Sequence, residues 1–171
     1  MQGFRDPDPL DGKLTTSSPT ALRISRIFVL VLTRTKGWKL FTADVTTAFL
    51  QGKASDRKLW VMLPAEACDM LGFQNGTRMK LLKSMYGLCD TSRLWWEETT
   101  ERLLACGLCV HPLVPCLFLS YAENKTHRTL DGAICLHIDD MIGTGSMTKT
   151  SEACFATRSQ RLFLTAEADS R

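Results

Sequence analysis

Apolar residues fall into short runs divided by polar turns. The most pronounced run is Ala133-Ile134-Cys135-Leu136-His137-Ile138, which resumes after two acids as Met141-Ile142-Gly143-Thr144-Gly145. Ile134, Leu136 and Ile138 suit a half-buried pleated surface, so the pair of runs predicts a β-hairpin with Asp139 and Asp140 at its tip. Successive strand side chains point to opposite faces, so the two carboxylates cannot both look the same way, and one of them is the better ligand. A carboxylate on an apolar hairpin calls for a positive partner, and a hard divalent cation such as Mg²⁺ takes oxygen ligands. The alternative is a plain Asp-Asp turn. Trp38-Lys39-Leu40-Phe41-Thr42-Ala43 predicts a second short strand, closed by Asp44. Two strands that each deliver an acid to one end of a sheet can hold two metal ions roughly 3.5–4 Å apart, an arrangement that in-line phosphoryl or nucleotidyl transfer uses.

Helical spacing appears twice. Ser18 as a cap, Pro19 at the first helical position and Ile24, Ile27, Phe28 and Val31 on one stripe predict a helix ended by Gly37. Arg23, Arg26 and Arg34 lie off that stripe, which suits a solvated face better than a nucleic-acid contact. A second helix follows the loop 84–90, with Asp90 or Ser92 as its cap, Trp96, Thr100 and Leu103 on one face, and Gly107 in place for a left-handed end. Further strands are expected at 58–64, at 79–83 after the Asn75-Gly76 turn, and at 115–121, with a polar loop over 123–131. Residues 1–18 are polar, and Asp6-Pro7-Asp8-Pro9 predicts an extended lead-in. The expected fold class is α+β, a small antiparallel sheet carrying the acids with helices packed on one face.

Composition narrows the picture without deciding it. With 171 residues the chain is one ordinary domain or a piece of something larger, and 21 Lys+Arg against 18 Asp+Glu is only mildly basic. No apolar run approaches the roughly 18 residues of a membrane span, and no basic-plus-apolar leader opens the chain. An intracellular protein, cytoplasmic or nuclear, with no membrane partner is expected. Seven irregularly spaced cysteines suggest reduced thiols. Cys106 and Cys109 have ligand spacing, with His111 and Cys116 nearby, so a small zinc-binding module is a third and weaker reading.

Four segments together carry a family resemblance: Asp-Val-Thr-Thr-Ala-Phe-Leu-Gln-Gly at 44–52, Leu-Leu-Lys-Ser-Met-Tyr-Gly-Leu at 81–88, Pro115-Cys116-Leu117-Phe118, and His137-Ile138-Asp139-Asp140-Met141. In this order, from about residue 3 to residue 145, the chain resembles the reverse transcriptase domain of copia-type retrotransposon polyproteins. The resemblance implies a polymerase palm-like sheet over 19–145, residues 1–18 as a remnant of the fingers, and a poorly specified segment over 146–171. It implies catalysis by Asp44, Asp139 and Asp140, with Asp44 and Asp139 holding Mg²⁺ or Mn²⁺. Phe49 would floor the sugar pocket and exclude a ribose 2′-hydroxyl, the alternative being a plain core residue. Tyr86, Gly87 and Arg93 would line the nucleotide and template side. Implied partners are an RNA or DNA template-primer, deoxynucleoside triphosphates, and further domains of a longer polyprotein.

Two departures from the family pattern stand out. Cys89, Asp90, Thr91 and Ser92 replace the usual Lys-Gln-Ala-Pro, which removes a positive charge and adds a negative one beside a site for a polyanion. His137 stands where Tyr is usual; period-two alternation places it on the face of Asp139, either near the metal or simply filling the space of a Tyr. The resemblance also assigns the triphosphate grip to fingers before Met1 and the primer grip to a thumb after Arg171. A truncated, non-catalytic remnant that at most binds nucleic acid is therefore the second reading.

Overall fold

A computed structural model of the chain describes residues 14–123 and 128–146. In chain order the elements are α1 (Arg23–Lys36), β1 (Lys39–Asp44), a short 3₁₀ turn (Ala48–Gln51), β2 (Trp60–Met62), α2 (Ala65–Leu71), β3 (Arg78–Lys80), α3 (Thr91–Ala105), β4 (Cys109–His111), β5 (Val114–Glu123), β6 (Arg128–His137) and β7 (Asp140–Gly145). The fold is mixed α+β. Five strands form one antiparallel sheet in the order β1-β7-β6-β5-β4, and β2 and β3 form a separate antiparallel pair.

The two sides of the large sheet carry different cores. Phe118, Ile134, Leu136 and Met141 meet Trp95 and Leu103 of α3, together with Val45, Ala48 and Leu108. Leu117, Leu119, Ala133 and Cys135 meet Ala21 and Val29 on the α1 side. Because Leu117 lies opposite Cys135 and Phe118 opposite Ile134, adjacent residues of β5 and β6 feed opposite cores. The helices therefore pack on both faces of the sheet, not on one as expected. This is also why 133–136 is apolar at every position: β6 is buried on both sides there, not half-buried.

Helix α1 begins at Arg23, several residues after Pro19, because Leu22 is still extended (ψ 151°). Ser18 instead donates its hydroxyl to the Ser92 carbonyl at 3.0 Å. Gly37 does end the helix in the left-handed region at φ 65°. The residues that meet the sheet are Ser25, Val29 and Leu32 of the helix with Ala21 just before it, and the small Ala21 and Ser25 let the helix come close. The larger stripe expected to be inside is outside: Ile24 is 64% exposed, and Ile27, Phe28 and Val31 are exposed as well. Arg23, Arg26 and Arg34 are exposed. On α3 the buried stripe is Thr91, Trp95, Thr99 and Leu103, one residue round from the expected Trp96 and Thr100.

Smaller differences follow from pairing. Strands β5 and β6 run on to Glu123 and Arg128, so most of the expected 123–131 loop is sheet. Between β2 and β3 the chain inserts α2, ended by Gly72 at φ 72°, before Gly76 turns into β3. Among the described residues no helix is long and apolar enough to cross a membrane. The described cysteines are free thiols, and burial pushes the Cys116 thiol up to about 11, with Cys135 adding to the effect. The expected extended lead-in over residues 1–13 and the segment after Ser146 lie outside the described residues.

Candidate functional site

The acids meet at one end of the five-stranded sheet. In the β1–β7 ladder Asp44 lies directly opposite Asp140, and in the β6–β7 ladder His137 lies opposite the same Asp140. His137, Asp140 and Asp44 thus form a row across three strands. Directly opposed residues share a face, and their neighbours Ala43 and Met141 point to the α3 core, so the row lies on the other face. Asp139 sits in the two-residue turn Ile138–Asp139 and does not share the alternation of β6, so His137 keeps register with Asp140 and not with Asp139 as expected. His137 Nδ1 is buried without a hydrogen-bond partner.

The turn is strained and held from two sides. Ile138 has φ 58°, a value suited to Gly at the first central position of a two-residue hairpin turn. A β-branched residue there costs about 1–3 kcal/mol unless its surroundings enforce it. Two donors do so: the Trp95 indole Nε1–H donates to the Ile138 carbonyl at 2.7 Å, and the Val45 amide donates to the Asp139 carbonyl at 3.1 Å. Val45 directly follows Asp44, so the turn is tied to the end of the strand that carries the other acid. Thr47, at φ 55°, is the only other non-glycine residue with positive φ among those described, and it follows Asp44 by three residues. Both strained residues lie in the acid-bearing segments.

Two opposed, exposed carboxylates with a third beside them repel one another, and a divalent cation relieves that repulsion. The three carboxylates offer oxygen donors, which fits Mg²⁺ or Mn²⁺, with the His137 imidazole beside them. Among the described residues no three His, Cys, Asp or Glu side chains close up as a ready-made metal cage. Mg²⁺ is commonly held by one or two carboxylates with water and substrate phosphates completing its shell, so a pair suffices. The zinc reading fares worse: Cys116 is buried in β5, Cys109 accepts a hydrogen bond from Arg128 at 3.5 Å, and His111 Nδ1 accepts the Leu113 amide at 3.3 Å.

Behind the acids, the 3₁₀ turn brings Phe49 against Tyr86 with ring centroids 5.1 Å apart. The Ser84 hydroxyl donates to the Phe49 carbonyl at 2.7 Å, which joins the 44–52 and 81–88 motifs directly. Phe49 is half-buried against the α3 core, while Tyr86 is about half exposed. Gly87 takes φ 88° and turns the chain toward α3. Arg93 is engaged on α3: it donates to Glu97 at 2.6 Å, lies over the Trp96 ring at 4.8 Å, and reaches the Ser17 carbonyl at 3.4 Å.

Asp90 behaves differently from its sequence reading. It is 3% exposed and lies 3.5 Å from the Arg57 guanidinium, with the Ser55 hydroxyl at 3.5 Å from its other oxygen. Its side chain does not cap α3; the Thr91 hydroxyl, bound to the Met85 carbonyl at 2.7 Å, helps anchor that end. The added negative charge is therefore spent on a buried ion pair and does not face a substrate. Sequence reasoning missed Arg57, Trp95 and Ser84, whose partners lie tens of residues away along the chain.

An antiparallel α+β domain with aspartates gathered at one sheet end is the class these elements define. Residues 1–158 match the family described as reverse transcriptase (RNA-dependent DNA polymerase), and the chain belongs to that family. No solved structure gives a significant match.

Proposed function

We propose that residues 19–145 are the palm core of an RNA-directed DNA polymerase of the copia retrotransposon type, with 1–18 as a lead-in left from the fingers and 146–171 as a poorly specified C-terminal segment. Asp44 and Asp139 hold the catalytic cations and Asp140 supports them. The observation that carries this reading is the register: it brings Asp44 at the end of β1, Asp140 at the start of β7 and Asp139 in the turn just before it to one sheet end, in a chain of the reverse transcriptase family. Bound there, Mg²⁺ or Mn²⁺ would supply Lewis-acid charge to the attacking and leaving oxygens of an in-line displacement. The chain's own part is to hold the acids, to place the Phe49 ring against the sugar so that a 2′-hydroxyl is excluded, and to line the nucleotide side with Tyr86 and Gly87. Arg93 belongs to the same side and also secures the segment before α1. The substrates are a template-primer and deoxynucleoside triphosphates, and the natural context is a longer polyprotein.

Single-nucleotide extension of a labelled primer-template with Mg²⁺ or Mn²⁺ tests this. Slow, metal-dependent incorporation that disappears in Asp139→Asn supports it. The non-catalytic reading rests on the altered 89–92 stretch and on the fingers and thumb that the family places outside this sequence; of these, the charge of Asp90 is turned inward to Arg57. Failure of the wild-type chain to incorporate, with template-primer still bound, would establish that reading instead.

A further inference from the structure

We propose that Trp95 is a positioning residue for the acid site: its indole N–H fixes the strained Ile138–Asp139 turn and so aims Asp139 and Asp140 toward Asp44. The proposal rests on reading those acids as a cation site. Trp95 is 1% exposed, so its anchor is the interior of the domain, whereas the turn it holds is at the rim, with Ile138 40% exposed. A hydrogen bond of 2.7 Å from a buried donor is what an otherwise unfavourable φ of 58° at a β-branched residue needs to persist.

The same residue is fixed to the other acid-bearing segment. Gly52 closes the motif that begins at Asp44, and a Cβ added there would lie 3.1 Å from the Trp95 backbone nitrogen and 3.1 Å from Ser84 Oγ. The Lys53 amide also donates to the Leu94 carbonyl at 3.3 Å, so the start of α3 is seated against the end of the 44–52 motif. Through its backbone Trp95 is packed against the end of the 44–52 motif that begins at Asp44, and through its indole it is bonded to the turn of Asp139. A cavity of about 260 Å³ lined by Ser18, Ser92, Trp95, Trp96, Leu136 and Ile138 lies beside the contact, so the side chain has room to shift if the hydrogen bond is lost.

The test uses the full chain and Trp95→Phe, which keeps an aromatic ring and removes the N–H. Amide exchange at 138–141 should quicken about tenfold while β4 and β5 amides stay as they are, and the Mn²⁺ dissociation constant should rise about three- to tenfold. Adding Ile138→Gly removes the steric cost of positive φ and should return both toward wild type, a rescue that a merely space-filling tryptophan would not produce. In wild type the Trp95 indole proton should be as protected from exchange as the turn amides. Turn exchange and Mn²⁺ affinity unchanged in Trp95→Phe, or no rescue by Ile138→Gly, would overturn the proposal. Should the variant fail to fold, a rapidly exchanging indole proton beside a protected turn in wild type would overturn it equally. Absence of Mn²⁺ binding in wild type would instead remove the cation reading, and the exchange data alone would still decide whether Trp95 holds the turn.

Discussion

Replacing Asp44 with Asn is expected to stabilise the metal-free protein and to remove its response to Mg²⁺. Asp44 and Asp140 are opposed in the ladder and both exposed. Opposed Cβ atoms lie about 5 Å apart, and two unit charges at that distance in a water-like medium repel by about 0.8 kcal/mol, within the range of about 0.2–1 kcal/mol for cross-strand pairs. Asn keeps the shape and removes the charge. The gain of about 0.5–1 kcal/mol corresponds to a melting temperature about 1–4 °C higher for a domain of this size. In about 1 M salt, where the screening length is about 3 Å, the difference should shrink toward zero. Mg²⁺ at about ten times its dissociation constant should stabilise wild type by about 1.4 kcal/mol and Asp44→Asn by much less. Thermal melts of both proteins with and without Mg²⁺, at low and high salt, with the exposed Asp69→Asn as the control on α2, make the measurement. A metal-free Asp44→Asn less stable than wild type would show that the two carboxylates do not repel, and an equal Mg²⁺ shift in both would show that Asp44 holds no cation.

Gly143 faces the Phe41 ring so closely that an added Cβ would come within 2.2 Å of Cζ, so Gly143→Ala should cost about 1–3 kcal/mol in urea unfolding. Asp90→Gln, which restores the family's usual residue, should remove the charge that faces the largely buried Arg57 and destabilise the fold by about 2–4 kcal/mol; an unchanged unfolding midpoint would mean that the pair contributes nothing. Cys116, whose thiol is held up to about 11 by burial, should resist alkylation in the folded protein. Because the unfolded thiol ionises near 9 and the folded one only near 11, the unfolded state loses its proton first. This group's stability contribution is therefore present in full below about 9 and falls by roughly 2–3 kcal/mol as pH rises to about 11; Cys116→Ala should remove that part of the alkaline loss and leave the part due to Cys135, whose thiol burial also raises.

What the sequence disclosed was local. Asp44 at the end of 39–43, the hairpin around 139–140 and the helix stop at Gly37 rest on patterns a few residues wide, and the structure has all three. Helix α1 carries two apolar stripes, and periodicity alone favoured the larger side chains, whereas the sheet accepts the smaller ones. The uninterrupted apolar run of β6 did hold a signal for burial on both faces, which would have placed α1 and α3 on opposite sides. The turn at Ile138–Asp139 lacks the Gly or Asn that marks such turns, because it is enforced from outside by Trp95 and Val45. Arg57 and Asp90 are 33 residues apart, and nothing near Asp90 in the chain tells that its charge has a buried partner.

If Asp44, Asp139 and Asp140 form a divalent-cation site, the electron paramagnetic resonance signal of free Mn²⁺ will report it. Titrated into the wild-type chain with a deoxynucleoside triphosphate and template-primer present, Mn²⁺ should be taken up beyond what the nucleotide and nucleic acid bind alone. The triple Asn variant at these positions should lose that excess while keeping its fold. Equal uptake by the two proteins would contradict the account.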